Sequence, residues 1–290
     1  MWFKNLTVYR LPSDWHGFAA DLEAALGRFP LQPCSPLQMR SRGWVAPSPS
    51  GRLLHTVVTQ HLLALGCDQK LLPASVIRQE AERRAAEQAE SQGCPVGRRQ
   101  MRALKLQVTD ELRVRALTRR TLTRAWIDAA QGWLVVDAAS ATRAEEVVEM
   151  LRDALGSLAV QMFDTQRSVS GCMAAWLQRG APGAFAIEQD LELESADAPK
   201  ASVRYRRHPL DGQDIRAHLA AGKRPTQLGL TWNGRLSFVL TEKLQIKRVQ
   251  FLELAPERED GGEIDRLDQF DLDFTVMARE LGGEAQQAAA

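Results

Sequence analysis

Aromatic and β-branched residues crowd the stretch from Trp2 to Leu11, which predicts a strand. Ser13 then offers an N-cap for a helix over Asp14 to Gly27, with Phe18, Leu22, Ala25 and Leu26 along one face. From Pro30 to Gly51 the chain is rich in Pro, Ser and Gly and predicts irregular structure, interrupted only by Gly43-Trp44-Val45. Two strands are predicted at Leu53–Val58 and His61–Cys67, and Pro73 opens a helix over 74–91. Beyond Val76 and Ile77 that helix has only alanines as apolar residues, and a helix polar nearly all round projects into solvent or bridges parts of a molecule. Gly93-Cys94-Pro95 breaks it. A second helix, Arg98 to Leu117, places Met101, Leu104, Val108 and Leu112 in a narrow apolar stripe and its basic residues about 100° away. The pair predicts a protruding αα-hairpin with one basic side.

Strands are predicted again at Thr121–Ile127 and Trp133–Asp137, followed by a helix over Ala141–Leu155 capped by Ser140 or Thr142. A short strand at Leu158–Phe163 and a helical patch at Cys172–Gln178 lead to the turn at Gly180–Gly183, a domain-boundary signal. The last third predicts strands at 184–193 and 201–207, a helix at 211–221, and strands at 226–232, 235–241 and 244–251, with a hairpin turn at Asn233-Gly234. An acidic helix over 262–281 completes the pattern. Local strand pairs mixed with helices, without βα alternation, define an α+β fold with mixed or antiparallel sheets. The expected division is residues 1–72 with 118–180 as a central domain, 73–117 as a helical tip, and 181–290 as a C-terminal α+β base.

The 290 residues are 44% hydrophobic and 25% charged, as in folded domains, and no run of eighteen apolar residues occurs. The first residues, from Met1 to Leu6, lack a basic region followed by an apolar run, so a cytoplasmic location is expected. Cys34, Cys67, Cys94 and Cys172 never approach a CxxC spacing and are expected to be small buried hydrophobes. The net charge of +1 conceals an uneven distribution. Residues 98–124 carry nine basic side chains against two acidic ones, residues 200–224 seven against two, and residues 252–290 three against eleven. Eight of the first nine are arginine, which suits bidentate phosphate contacts, so the balance points to a polyanion.

Catalytic signatures are missing: GxxxxGK[ST], GxGxxG after a strand, HExxH and GxSxG do not occur. Ser168 and Ser170 stand in an SVSG run without a histidine placed as base, and His55 and His61 read as surface or core histidines. Glu263, Asp265, Asp268, Asp271 and Asp273 crowd one terminal segment, which suits a solvated face or helix N-terminal charges rather than a two-metal centre. No catalytic residue, metal ligand or cofactor is assigned. On the strand expected at 201–207, Arg204, Arg206 and His208 would share one face and Tyr205 and Arg207 the other. Nothing in either basic cluster supports base-specific readout.

The chain resembles the bacterial recombination-associated RdgC family. The resemblance rests on the segments Met1–Leu11 (MWFKNLTVYRL), Gly43–Pro47 (GWVAP), Leu72–Ile77 (LPASVI) and Val135–Ser140 (VVDAAS), and on Leu155–Leu158, Ala221–Lys223, Lys247-Arg248 with Phe251, and Leu281–Glu284. It implies a non-enzymatic protein that encloses double-stranded DNA in a ring-shaped homodimer without sequence preference, leaving single-stranded DNA open as a second ligand. It also implies nucleoid association and limited access of the recombinase filament to DNA. The resemblance assigns DNA contact to Arg115, Arg119, Arg206, Arg207, Lys223, Lys247 and Arg248, and the basic side of the hairpin adds Arg98, Arg102 and Lys105. An alternative is that the basic hairpin docks on an acidic recombination or replication protein. Three departures stand out: His208-Pro209 replaces a Gln-Asp pair, the turn at Cys67-Asp68-Gln69-Lys70 is barely basic where the family's is basic, and the terminal helix runs into Leu281 sooner than in the family pattern.

Overall fold

In the computed structural model the structure describes residues 2–13, 15, 19–195, 201–252 and 265–288, with backbone alone from 283 onward. Twelve strands form one antiparallel sheet in the described residues, which settles the expected mixed or antiparallel choice. The strands are β1 (Asn5–Arg10), β2 (Arg40–Val45), β3 (Leu54–Val57), β4 (Gln60–Lys70), β5 (Thr118–Asp128) and β6 (Trp133–Asp137) in the first part of the chain. Then come β7 (Gln161–Met162), β8 (Phe185–Ser195), β9 (Ser202–Tyr205), β10 (Lys223–Trp232), β11 (Leu236–Thr241) and β12 (Ile246–Phe251). Their order is β2-β4-β5-β6-β1-β12-β11-β10-β8-β9, with β3 also on β4 and β7 also on β1. The sheet therefore carries strands from both sides of the Gly180–Gly183 turn, joined where Asn5 pairs Lys247 and Leu6 pairs Ile246.

The helices are α1 (Ala19–Leu26), α2 (Ala74–Gln92), α3 (Arg98–Arg115), α4 (Ala141–Leu155), α5 (Val169–Arg179), α6 (Gln213–Ala220) and α7 (Arg266–Ala288). On one face of the sheet, Leu22 and Leu26 of α1 and Val147, Val148 and Leu151 of α4 pack with Leu63, Leu65, Ala125, Ile127, Leu134 and Val136. On the other, α5, α6 and α7 contribute Met173, Leu177, Ile215, Phe274, Met277 and Leu281 to a core that includes Leu62, Trp126, Leu191, Leu193, Leu228 and Leu230. Strand β4 lies between the two cores, and its nearly continuous apolar run is what burial on both faces requires. Its free edge is divided between β3, opposite residues 60–63, and β2, opposite residues 64–69.

Several expectations shift by a physical cause. The stretch read as irregular between Pro30 and Gly51 contains β2, whose Arg40 and Arg42 are held by Glu146 (2.5 Å) and Glu149 (2.9 Å) of α4. Among the described residues the first helix covers Ala19–Leu26 and Trp15 is not helical; Asp14 and Phe18, at the start of the expected helix, lie outside the described residues. The cysteines are free, Cys94 is exposed at the break between α2 and α3, and the other three are half-buried, so none is the buried hydrophobe expected. Strand β9 stops at Tyr205, and Arg207 adopts a φ of 51°, so the face alternation expected through 201–207 ends before the Arg206–Arg207 pair. The terminal helix buries Phe274, Met277, Ala278 and Leu281 together with the acidic Glu280, and of its acidic side chains that are described only Asp268 is exposed. Asn233 and Gly234 supply the two positive φ values of the β10–β11 turn (51° and 71°), inside a loop closed by the pair Trp232–Leu236.

Candidate nucleic-acid interface

Helices α2 and α3 form the expected hairpin. It buries only Ala81, Ala85, Leu104 and Val108; Met101 and Leu112, expected in the stripe, stay partly exposed. Helix α2 neutralises two of its three cations. Arg83 pairs with Glu80 (2.7 Å) and with Glu87, while Arg84 pairs with Glu80 (2.8 Å) and reaches Glu111 on α3 (2.7 Å). The two guanidiniums push the Glu80 carboxyl down to about 2. Along α3 the balance is opposite. Arg98, Arg99, Arg102 and Lys105 are exposed and have no acidic partner among the described residues, whereas Arg113 is held by Asp110 at 2.8 Å.

At the base of the hairpin, Leu71 N donates to Leu117 O (2.8 Å), and the chain passes from α3 straight into the β4–β5 ladder. Arg115, the last residue of α3, and Arg119, the second of β5, are exposed and unpaired among the described residues. The unbroken register puts Arg119 on the face of Ala125 and Ile127, where α4 packs, and Arg120 on the opposite face. There the Arg120 guanidinium donates two hydrogen bonds to Asp68, at 2.7 and 2.8 Å, and holds that carboxyl below its ordinary range. Strand β6 pairs with β5 only from Ala125 to Asp128, so residues 118–124 of β5 extend past it as an arm carrying the hairpin.

The second basic region spans the far flank of the sheet, just after β9, and the bulge on β12. Arg204 on β9 pairs with Glu192 on β8 at 2.6 Å. Arg206 and the Arg207 side chain are exposed and unpaired among the described residues. On β12 the register slips by one residue opposite Ser237–Val239, and the extra residue is Arg248, with a φ of 55°. This bulge aims the Arg248 guanidinium at Asp190 Oδ2, at 2.6 Å, while the backbone N–H of Arg207 donates to Asp190 Oδ1 at 3.2 Å. Lys247, beside the bulge and paired with Asn5, has no acidic partner among the described residues. Lys223 Nζ stands 3.0 Å from His218 Nδ1.

The fold thus brings Arg207, Lys247 and Arg248 into one neighbourhood and keeps Arg98, Arg102, Lys105, Arg115 and Arg119 together on the arm. The two groups stand on different strands: the arm extends from β5, third in strand order, and the second group from β12, sixth, and the end of β9, tenth. Sequence reasoning missed Asp190, whose place between two arginines has no local signal, and left Arg99 out of the contact set although it is as exposed as Arg98.

Groups considered for chemistry have other partners. Ser168 caps α5, accepting from the Gly171 N–H at 3.3 Å, and His61 Nδ1 lies 3.1 Å from Thr56 Oγ1. His55 faces Asp271, so the terminal acidic run is not wholly a solvated face; Glu263 lies outside the described residues. Among the described residues no group of three or more His, Cys, Asp or Glu side chains is placed to hold a metal ion, and no helix is long and apolar enough to cross a membrane.

Along nearly its whole length the chain is similar in sequence to known proteins. The family model described as "Putative exonuclease, RdgC" matches residues 1–286. The chain is 46% identical over 284 residues to the recombination-associated protein RdgC of Cupriavidus pinatubonensis, covering 98% of this chain and 95% of that one. It is 47% identical to the protein of the same name from Cupriavidus necator, with the same coverage, and 46% identical over 285 residues to that of Dechloromonas aromatica, covering 97% and 94%. The chain belongs to the RdgC family.

Proposed function

We propose that this protein binds double-stranded DNA without sequence preference, through phosphate contacts, as a ring-shaped two-fold homodimer that limits access of a recombinase to the DNA it encloses. The observation that carries the reading is the division of the basic residues into two sets. Arginines within reach of a carboxylate on a neighbouring element are paired, whereas Arg98, Arg99, Arg102, Lys105, Arg115, Arg119, Arg206 and Lys247 face solvent unpaired among the described residues. Cations held in place yet uncompensated are available to a polyanion, and contacts of this kind position a protein on the backbone without reading bases. Two separated basic groups per chain, doubled by a two-fold axis, would give four cationic surfaces around an enclosed duplex. The reading assigns no enzymatic step, and nucleoid association follows from it.

The test is fluorescence anisotropy with two unrelated 30-base-pair duplexes at several salt concentrations. Equal affinities and a steep log–log salt slope, about 0.9 per phosphate neutralised, are expected. A strong preference for one duplex, or no binding at low salt, would overturn the reading. Incubating labelled duplex with magnesium, with and without EDTA, separates binding from nuclease action, since magnesium-dependent shortening would show an enzyme. A second reading, docking of the hairpin on an acidic protein partner, is favoured by the exposure of Leu106, Val114 and Leu117 among its cations. Retention of purified recombinase by this protein in the absence of DNA would support it.

A further inference from the structure

Five non-glycine residues have positive φ among the described residues: Val58, Arg207, Asn233, Leu244 and Arg248. Val58, Asn233 and Leu244 sit in tight turns between paired strands, where such angles are ordinary. Arg207 and Arg248 do not, and both are tied to the same carboxylate. Asp190 accepts from the Arg207 backbone N–H with one oxygen and from the Arg248 guanidinium with the other. Its position is made by a glycine on the next strand. A Cβ at Gly229 would stand 3.2 Å from the Asp190 Cβ and 3.1 Å from that of Glu188, so a larger residue would crowd both carboxylate stems. Strained backbone at two cations, stabilised by a shared anion, is the pattern of a preorganised contact site.

We propose that Asp190 is a positioning residue of the DNA interface and a competitor for it. It fixes the Arg207 turn through the backbone, and it holds Arg248 in an ion pair that a DNA phosphate must displace. The inference rests on the DNA-binding reading. It deepens that reading by dividing the cations of the second basic region into one that is held in reserve, Arg248, and others that are free, Lys247 and Arg206.

Asp190→Asn keeps a carbonyl oxygen for the Arg207 N–H and removes the charge that retains Arg248. The salt slope of duplex binding should then steepen by about 0.9 per protomer, about 1.8 for the two-fold dimer, and affinity near 0.1 M salt should rise on the order of fivefold to tenfold per protomer engaged. In an Arg248→Gln background the same substitution should leave the slope unchanged. A merely structural role for Asp190 would alter unfolding midpoints in both backgrounds without moving the slope in one alone. Asp190→Asn binding that matches the unaltered protein, or a steeper slope that persists without Arg248, would overturn the inference. Should Asp190→Asn fail to fold, Arg248→Gln is compared with Lys247→Gln. The former exposes an uncompensated carboxylate to the phosphates and should weaken binding more; equal losses would overturn the inference. Failure of the unaltered protein to bind duplex would instead overturn the DNA-binding reading itself.

Discussion

His55 Nε2 on β3 lies 3.2 Å from Asp271 Oδ1 on α7, with the rings of Phe270 and Phe274 edge-on to the imidazole at 4.9 and 5.5 Å. The contact sets a histidine of β3 against α7, although the two atoms lack hydrogen-bond geometry. Burial pushes the His55 imidazole below its ordinary value, and the Asp271 charge opposes that shift without cancelling it. His61 is pushed down in the same way, with Asp128 opposing.

The sign of the pH dependence follows from linkage. Both imidazoles resist protonation in the folded protein, so the unfolded chain takes up more protons just below the ordinary histidine value. Their contribution to stability is complete above about pH 6.5 and is lost as pH falls through the lowered folded values. Thermal unfolding midpoints should therefore fall between about pH 7 and pH 5, and His55→Gln should flatten the curve, leaving the part that His61 contributes. Parallel curves for the two proteins would contradict the assignment.

Phe274 is fully buried between α7 and the sheet. Phe274→Ala should lower stability by about 3–5 kcal/mol through lost burial and the cavity left behind. Urea unfolding checks this, with a reduced midpoint at unchanged slope as the expected result.

Arg119 and Arg120 are adjacent in sequence and differ only in what they meet. Arg119→Ala should reduce the salt slope of duplex binding by about 0.9 per protomer, about 1.8 for the two-fold dimer, and leave the unfolding midpoint unchanged. Arg120→Ala should do the reverse: the slope stays, and stability drops by about 1 kcal/mol, a modest figure because the guanidinium is largely solvent-exposed. Anisotropy and thermal melts on the same preparations would separate the two effects.

Gly43 shows no left-handed backbone angle, yet it is intolerant of a side chain. A Cβ there would overlap Leu31 Cα and N, because Trp44 exchanges backbone hydrogen bonds with Phe29 (2.8 Å) and Leu31 (3.0 Å). Gly43→Ala should lower the unfolding midpoint by forcing the 29–31 segment away from β2. A melt indistinguishable from that of the unaltered protein would refute the packing argument.

Helix α4 was legible to the residue, Ala141–Leu155, because its apolar period, the Ser140 cap and the Gly156 terminator all agree. The hairpin was legible for the same reason, with Gly93 at a φ of 69° ending α2. Strand β2 was not legible: RSRGWV carries two arginines in six residues, and their charges are compensated only by carboxylates of α4, 106 and 107 residues away. Helix α7 was legible as a helix but not as a core element, since its acidic residues outnumber the apolar ones that its docking on β3–β5 buries.

The candidate site divides along the same line. Composition and spacing alone determined that two regions of the chain are rich in arginine and that one of them rides on a helical hairpin, because side-chain charge and helical periodicity are local properties. Only the tertiary structure decided which of those arginines remain available. Asp68 reaches Arg120 from 52 residues away and Asp190 reaches Arg248 from 58, and an ion pair forms only where the sheet brings the two within hydrogen-bond distance.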